Sequence, residues 1–418
     1  MGTRLAARRL LRSNSVRLGL LLFALVTFFD TLRLQNRIAR HDLVPHAFDT
    51  PRKHERVYIA ALHYNDAPLL RQQWNPALLA LVERLGRANV FVNVHESGSW
   101  DDTKAALAEL DAELEVRGVP RSVVTSNVTH QDELEANRPA QGVALPKGWI
   151  VPSKGAKPEM RRIPFLANLR NSALRDLGDL HEKGVKFDKV LFLNDVLFTP
   201  EDALTLLDTN RGVYAAACSL DFSDPPLFYD TFALRDANGN AHLTPTWPYF
   251  RATASRNAVL AHADAVPVTS CWNGIVAMPA APFTSPLESK RLRFRAIPDS
   301  LAQLHLEASE CCLIHADNPL SADLGVYLNP RVRVGYNVMA YAATHPAPGR
   351  SWLSGWAIGR GRTVNRLLGW FTTTRFTDRR VDDRLARWKA EGKDRHEPGR
   401  ACLINEAHFL APNGWMHL

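Results

Sequence analysis

Residues 187–201 read FDKVLFLNDVLFTPE. The apolar run from Val190 to Leu193 stops at Asn194-Asp195, and the chain turns apolar again at Val196-Leu197-Phe198. Aliphatic and aromatic β-formers without polar alternation suit a strand covered on both faces, as in a parallel sheet. A carboxylate placed where such a strand stops lies at the carboxyl edge of the sheet, where open α/β folds bind ligands. The same residues also read as a plain polar turn ahead of a helix beginning at Pro200-Glu201-Asp202. The surrounding chain decides between them.

Upstream, residues 56–62 form an apolar run ending at His63-Tyr64-Asn65-Asp66, and residues 68–85 carry leucines at helical spacing. Residues 89–94 read as a second strand, 101–116 as an amphipathic helix with acids at its start, and 121–126 as a third strand. This β-α-β-α-β succession predicts a parallel, right-handed, Rossmann-like half. No Gly-x-Gly-x-x-Gly follows the first strand, so the dinucleotide fingerprint is absent. Residues 131–158 read as a polar surface loop and 163–180 as one helix leading into the strand at 190–193. The second half is mixed, with strands expected at 212–217, 231–234 and 274–278 and a turn at Asp236-Ala237-Asn238-Gly239.

With 46% hydrophobic and 22% charged residues among 418, the chain is globular and large enough for one big domain or two. Its net charge of +8 gathers at the ends, in Arg4, Arg8, Arg9, Arg12 and Arg17 and in Arg375, Arg379, Arg380, Arg384 and Arg387. No basic run interleaved with aromatics lies between them, so nucleic acid is not an expected partner. The first cluster precedes twelve uncharged residues, 18–29. Continued to Leu34, this stretch suits a signal anchor with its arginine-rich end in the cytosol. A cleaved signal peptide has a similar apolar core, but no small-x-small cleavage site follows here. The expected organisation is a cytosolic basic tail (1–17), a signal-anchor transmembrane segment (18–34), a stem (35–55), a catalytic domain (56–345) and a C-terminal extension (346–418). On a lumenal domain Asn127-Val128-Thr129 is a glycosylation sequon, and five cysteines allow two disulfides with one thiol left over, or buried free thiols.

A membrane-tethered chain of this kind suits an α/β, GT-A-like glycosyltransferase fold, with a Rossmann-like nucleotide-binding half and a mixed acceptor half behind an N-terminal membrane anchor. Sugar transfer from a nucleotide sugar leaves charge on a departing diphosphate, which a hard divalent cation held by carboxylate oxygens stabilises. Asp195 is placed to supply such an oxygen, although the usual Asp-x-Asp is reduced here to Asn194-Asp195-Val196. Arg170 can pair with phosphate, and the amides of Asn171 and Asn194 can contact the nucleotide. Asp230 and Arg235, set among aromatics, and Trp272 with Asn273 suit a bound sugar. Glu307 and Glu310, three apart, can share one helix face and place a carboxylate near the anomeric carbon. His315, Asp317 or Asp221 can complete the metal shell. Each of these stretches also reads as a structural turn or a solvated face.

Four motifs together resemble the fungal cryptococcal-type α-1,3-mannosyltransferase family, whose capsule-associated members share them. They are Leu193-Asn194-Asp195-Val196, Phe232-Ala233-Leu234-Arg235-Asp236, Cys271-Trp272-Asn273-Gly274 and Glu310-Cys311-Cys312-Leu313-Ile314-His315-Ala316-Asp317. The resemblance spans roughly residues 56–345 and leaves the rest outside it. It implies retaining α-1,3-mannosyl transfer from a GDP-mannose donor to a mannose-containing glycan acceptor. It further implies a divalent metal, Mn²⁺ ahead of Mg²⁺, and a single-pass type II Golgi membrane protein. By it, Asp195 is the metal ligand and Arg170-Asn171 the nucleotide contact. The alternative is a non-catalytic Golgi partner required for polysaccharide synthesis or export. A soluble α/β hydrolase would need a Gly-x-Ser-x-Gly elbow, which the chain lacks.

Overall fold

The apolar N-terminal stretch forms helix α1 (Asn14–Asp42), long and apolar enough to cross a membrane by length and composition. The computed structural model describes residues 14–42 and 55–417, apart from 141, 154, 374 and 413. Residues 1–13 of the expected tail and 43–54 of the expected stem lie outside the described residues. The described start of the stem, 35–42, is helical rather than irregular. It is docked on the domain through buried Leu34, Ile38 and Ala39 and an ion pair from Asp42 to Arg333 at 3.1 Å.

The centre is a ten-stranded mixed sheet. Strands β1 (Val57–His63), β2 (Val90–Glu96) and β3 (Arg121–Val124) pair in parallel, as the β-α-β-α-β pattern requires. Crossovers α2 (Asn75–Leu85) and α3 (Thr103–Val116) bury Leu78, Leu81, Val82 and Leu85, and Ala106, Leu107, Leu110 and Leu114. That spacing places each set on one helix face. Alternate residues of β1 divide between two cores: Val57, Ile59 and Ala61 enter one, Tyr58 and Ala60 the other.

Helix α4 (Arg162–Ser172) and helix α5 (Arg175–Glu182) replace the single helix expected over 163–180. The break falls where the Tyr58 hydroxyl donates to the Ala173 carbonyl at 2.8 Å, which caps α4 from the sheet. Strand β4 (Lys189–Leu193) follows, wholly buried and parallel to β1. Ala61 faces Leu193, so β1 and β4 end at one level and the segments 63–66 and 194–195 share one sheet edge.

The second half supplies β5 (Ala216–Asp224), β6 (Val266–Ser270), β7 (Ile275–Pro279) and β8 (Val326–Gly335). The sheet order is β3-β2-β1-β4-β7-β5-β8-β6, with β7 antiparallel to both neighbours and Arg235–Asp236 at the far edge. Residues 231–234, expected as a strand, are a turn instead. Asp230 Oδ1 accepts the N–H groups of Phe232 (3.0 Å) and Ala233 (3.1 Å), and this local bonding replaces a sheet ladder.

Among the described residues, 346–418 shares a hydrophobic cluster with 56–345. One core cluster mixes Leu301, Leu306 and Leu313 with Val381, Leu385, Trp388 and Phe409. Helices α6 (Glu310–Asp317), α7 (Gly355–Phe371) and α8 (Arg375–Ala390) precede a hairpin of β9 (His408–Ala411) and β10 (Gly414–His417). Disulfide Cys312–Cys402 ties α6 to this C-terminal segment, Cys218–Cys271 joins β5 to the end of β6, and Cys311 stays a buried free thiol.

Replacing Cys312 and Cys402 together by serine should lower the melting temperature by roughly 2–6 °C, since such a bridge contributes about 2–5 kcal/mol. Limited trypsin digestion should then cut within 375–400 first. An unchanged melting point and cleavage pattern would show that the C-terminal segment is not held by this core.

Candidate active site

At the carboxyl edge of β4 opens a cavity of about 570 Å³. Its wall combines α4, the residues after β4, the 229–235 turn, Trp272, the start of α6, Tyr336 and the C-terminal hairpin. Trp272 forms part of it, with its indole N–H donating to Asn194 Oδ1 at 3.2 Å. Asn194 is fixed on both sides of the peptide, its N–H donating to the Gly274 carbonyl and its carbonyl accepting from Trp74 Nε1, each at 3.0 Å. Arg170 lies over the Trp272 ring at 4.5 Å and donates to Glu310 Oε1 at 2.9 Å.

Two other guanidinium groups have no acid within ion-pair distance among the described residues. Arg162 stacks on Trp415 at 3.9 Å, its Nε has no hydrogen-bond partner among the described residues, and burial lowers its pKa. Arg235 is 3% exposed and, among the described residues, donates only to the carbonyls of Ala401 (2.7 Å), Phe232 (3.0 Å) and Leu234 (2.9 Å). Burial brings its pKa down to about 10. Buried charges are normally paired, so two unpaired cations facing one cavity point to an anionic ligand.

Behind the wall lies Asp221, fully buried. Its Oδ1 accepts from Asn273 Nδ2 at 2.8 Å and from the Asp230 N–H at 3.2 Å, and Oδ2 accepts from the Tyr336 hydroxyl at 3.1 Å. Burial, reinforced by the charge of Asp230, pushes its pKa up to about 7. Asn273 therefore holds Asp221 and the Asp230 carbonyl (3.2 Å) and does not line the cavity. Gly274 sits at φ 93°, and a Cβ there would meet Val334 Cγ2 at 2.5 Å, so this turn requires glycine. The Cys-Trp-Asn-Gly motif thus supplies a disulfide, a cavity wall, an amide brace and a turn.

Asp195 stands beside the cavity, and no other side chain among the described residues hydrogen-bonds its carboxylate. Burial, then the charge of Asp66, raises its pKa to about 6, and His63 opposes the shift. Asp66, 3.0 Å from His63 Nδ1, is the acid whose charge acts on Asp195, and it comes from just beyond β1. A further set of donors is on the hairpin. His408 and His417 face each other across β9 and β10, and Glu406 lies two residues before His408. Glu406 Oε2 is 2.9 Å from His408 Nε2 and 3.4 Å from His417 Nδ1. Metal–ligand bonds of about 2.0–2.2 Å set adjacent donor atoms roughly 3–3.5 Å apart, so this spacing fits a small divalent cation.

Of the residues expected from sequence, Arg170, Asn194, Asp230, Arg235, Trp272 and Glu310 meet in the cavity. Four do not. Glu307 is 1% exposed and locked to Arg161 at 2.6 Å, away from the cavity wall. Asn171 braces the chain by exchanging hydrogen bonds with the Phe294 backbone at 2.8 and 3.0 Å. Asn273 is the brace described above. His315 lies against the Cys218–Cys271 disulfide with Nε2 2.6 Å from the Cys271 carbonyl, and burial lowers its pKa to about 4. The further metal candidate Asp317 pairs with Arg295 at 2.5 Å. Asn127 is exposed in the loop after β3, and Thr129 of its sequon caps the following helix. Missed in the sequence were Arg162, Asp66, Tyr336 and the hairpin. The Glu406-x-His408 spacing on an extended segment was the one local signal for it.

Residues 56–317 match the family described as Cryptococcal mannosyltransferase 1. The match covers more than half of the chain, and the chain belongs to this mannosyltransferase family. Similar solved structures include the mannosyltransferase PcManGT from Pyrobaculum calidifontis in complex with GDP-Man and Mn2+. It is 14% identical, with 91% of this chain and 88% of that chain covered and a TM-score of 0.34. S. aureus TarS 1-349 is 13% identical over 65% of this chain and 57% of that one, with a TM-score of 0.32. GalNAc-T7 with UDP, GalNAc and Mn2+ is 10% identical over 67% and 42%, with a TM-score of 0.37. No curated protein matches the chain.

Asp221 gives the site a pH signature. Its folded pKa of about 7 lies above the ordinary carboxyl value, so its favourable contribution is complete below about pH 4 and is lost as pH rises through 7. Asp221→Asn keeps the Oδ1 acceptor for Asn273 and the Asp230 N–H and, like the protonated acid, carries no charge. The variant should melt with the wild type near pH 4.5 and several degrees above it at pH 8. Equal destabilisation at both pH values would mean that Asp221 is ionised in the fold.

Proposed function

We propose that the cavity binds GDP-mannose and that the protein transfers mannose to a mannose-containing glycan acceptor, forming an α-1,3 linkage with retention of configuration. The observation that carries this reading is the pair of acid-free guanidinium groups, Arg162 and Arg235, in a cavity at the carboxyl edge of β4 in a member of a mannosyltransferase family. The two arginines clamp the diphosphate, and Asn194 contacts the nucleotide. Tyr229 presents a ring face to sugar, while Trp272, its ring covered by Arg170, holds Asn194 in the cavity wall. Glu310, oriented by Arg170, is the carboxylate that approaches the anomeric carbon and stabilises positive charge developing there. Asp230 meets sugar hydroxyls with its remaining acceptor capacity.

A divalent cation, Mn²⁺ ahead of Mg²⁺, supplies Lewis-acid stabilisation of the leaving diphosphate. Glu406, His408 and His417 would hold it, and Asp195 at the strand end, outside that cluster, is the alternative donor. The imidazoles come from the hairpin, and His315 has no part in this. The two disulfides suit an oxidising lumen, the sequon Asn127 is accessible, and α1 suits a type II Golgi anchor with residues 1–17 in the cytosol.

The test is detergent-solubilised full chain with GDP-[14C]mannose, Mn²⁺ and α-mannobiose. Label should pass to the acceptor, and no transfer over a panel of donors and acceptors would support the non-catalytic partner role. Charge-assisted hydrogen bonds contribute about 1.5–3 kcal/mol, so Arg162→Ala should weaken GDP binding about 10–100-fold. His408→Ala should weaken Mn²⁺ binding measured by electron paramagnetic resonance in the presence of GDP, whereas a loss confined to Asp195→Asn would put the ion at the strand end. Wild-type Mn²⁺ affinity in His408→Ala would remove the hairpin from the metal shell.

A further inference from the structure

A second arginine-lined cavity, about 450 Å³, lies between residues 243–260 and α7, the helix that packs on α1. Arg251, Arg256, Arg362 and Arg366 line it, and no acid does among the described residues. Asp30 of α1 neutralises only Arg362. Arg251 donates to the Thr372 carbonyl (3.1 Å) and hydroxyl (2.9 Å), and Arg256 to the Arg251 carbonyl (2.7 Å). Arg366 has no carboxylate within ion-pair distance among the described residues. An independent observation points the same way. Asn365 lines the cavity at 4% exposure, and its Nδ2 donor has no partner among the described residues. An oxyanion would satisfy both the charge and this donor.

The position says which oxyanion. Gly355 and Gly359 of α7 approach Gln35 and Thr31 of α1, and Arg362 reaches Asp30, so the two helices run antiparallel. Beyond Arg362, α7 therefore returns alongside the exposed apolar stretch 18–29, reaching Trp370 about 12 Å further on. There it exposes Leu367, Trp370 (76%) and Phe371 (80%). Tryptophan beside an arginine cluster is the pairing found at a bilayer's headgroup level, where cations attract anionic lipids. A free phosphate would satisfy the arginines but leave these aromatics unused.

We propose that this cavity binds the phosphate headgroup of an anionic phospholipid in the bilayer that α1 enters, seating the domain on the membrane. The proposal rests on the reading of α1 as a membrane anchor. The probes are dihexanoyl phosphatidic acid, dihexanoyl phosphatidylcholine and inorganic phosphate, titrated into detergent-solubilised full chain by calorimetry. Phosphatidic acid should bind saturably and at least tenfold more tightly than either other probe. Arg366→Ala, an exposed position whose loss leaves the fold intact, should weaken it about tenfold with GDP binding unchanged, and Trp370→Ala should weaken phosphatidic acid but not inorganic phosphate. Equal affinity for phosphatidic acid and inorganic phosphate, or wild-type lipid affinity in both variants, would overturn the site. Extraction of the full chain from membranes by alkaline carbonate would overturn the anchor reading instead, and with it the bilayer as the source of the lipid.

Discussion

Arg161 and Glu307, each 1% exposed, form the seam on which the cavity depends. The guanidinium holds both Glu307 oxygens (3.1 and 2.6 Å), Asp299 at 2.7 Å and the Ile297 carbonyl at 2.9 Å. Burial pushes the Glu307 carboxyl pKa up, against the pull of Arg161. Such a pair is weak evidence for stability, because desolvation offsets most of the attraction, yet losing one partner strands a buried charge at about 3–5 kcal/mol. Its consequence here is positional. Arg161 immediately precedes α4, which carries Arg162 and Arg170, and its backbone bridges Phe409 of the hairpin. Glu307 precedes α6, which begins with Glu310, and its backbone exchanges hydrogen bonds with Ile404 at 3.1 and 2.8 Å. One ion pair thus fixes three walls of the cavity relative to one another.

This seam explains why a segment lying outside the family match takes part in the site. The central sheet supplies one edge, with Asn194, Asp195 and Asp66 brought level by the register of β1 and β4. That edge alone offers acids and amides. The cations that suit a diphosphate, and the imidazoles that suit a metal, come from α4, the 229–235 turn and the hairpin. Cys312–Cys402 holds the hairpin's approach a few residues from the same seam.

The β-α-β-α-β half was legible because buried strands and amphipathic helices write their periods directly into the chain. Asn194-Asp195 was legible as a strand end for the same reason. The errors share a cause as well. Glu307 and Glu310 look alike three residues apart, but Glu307 precedes the helix, so the same-face rule does not apply to it. His315 is five residues beyond Glu310, which turns it about 140° around α6, away from the cavity and onto the disulfide. Asp66 and the hairpin were hidden because they meet the site through strand register and long-range packing, which no local spacing encodes.

Hydrogen–deuterium exchange of the full chain with and without GDP and Mn²⁺ tests the central claim most directly. If the C-terminal hairpin is part of the donor site, protection rises together in residues 162–170 and 404–417. Protection confined to 63–66 and 194–196, with 404–417 unchanged, would contradict it.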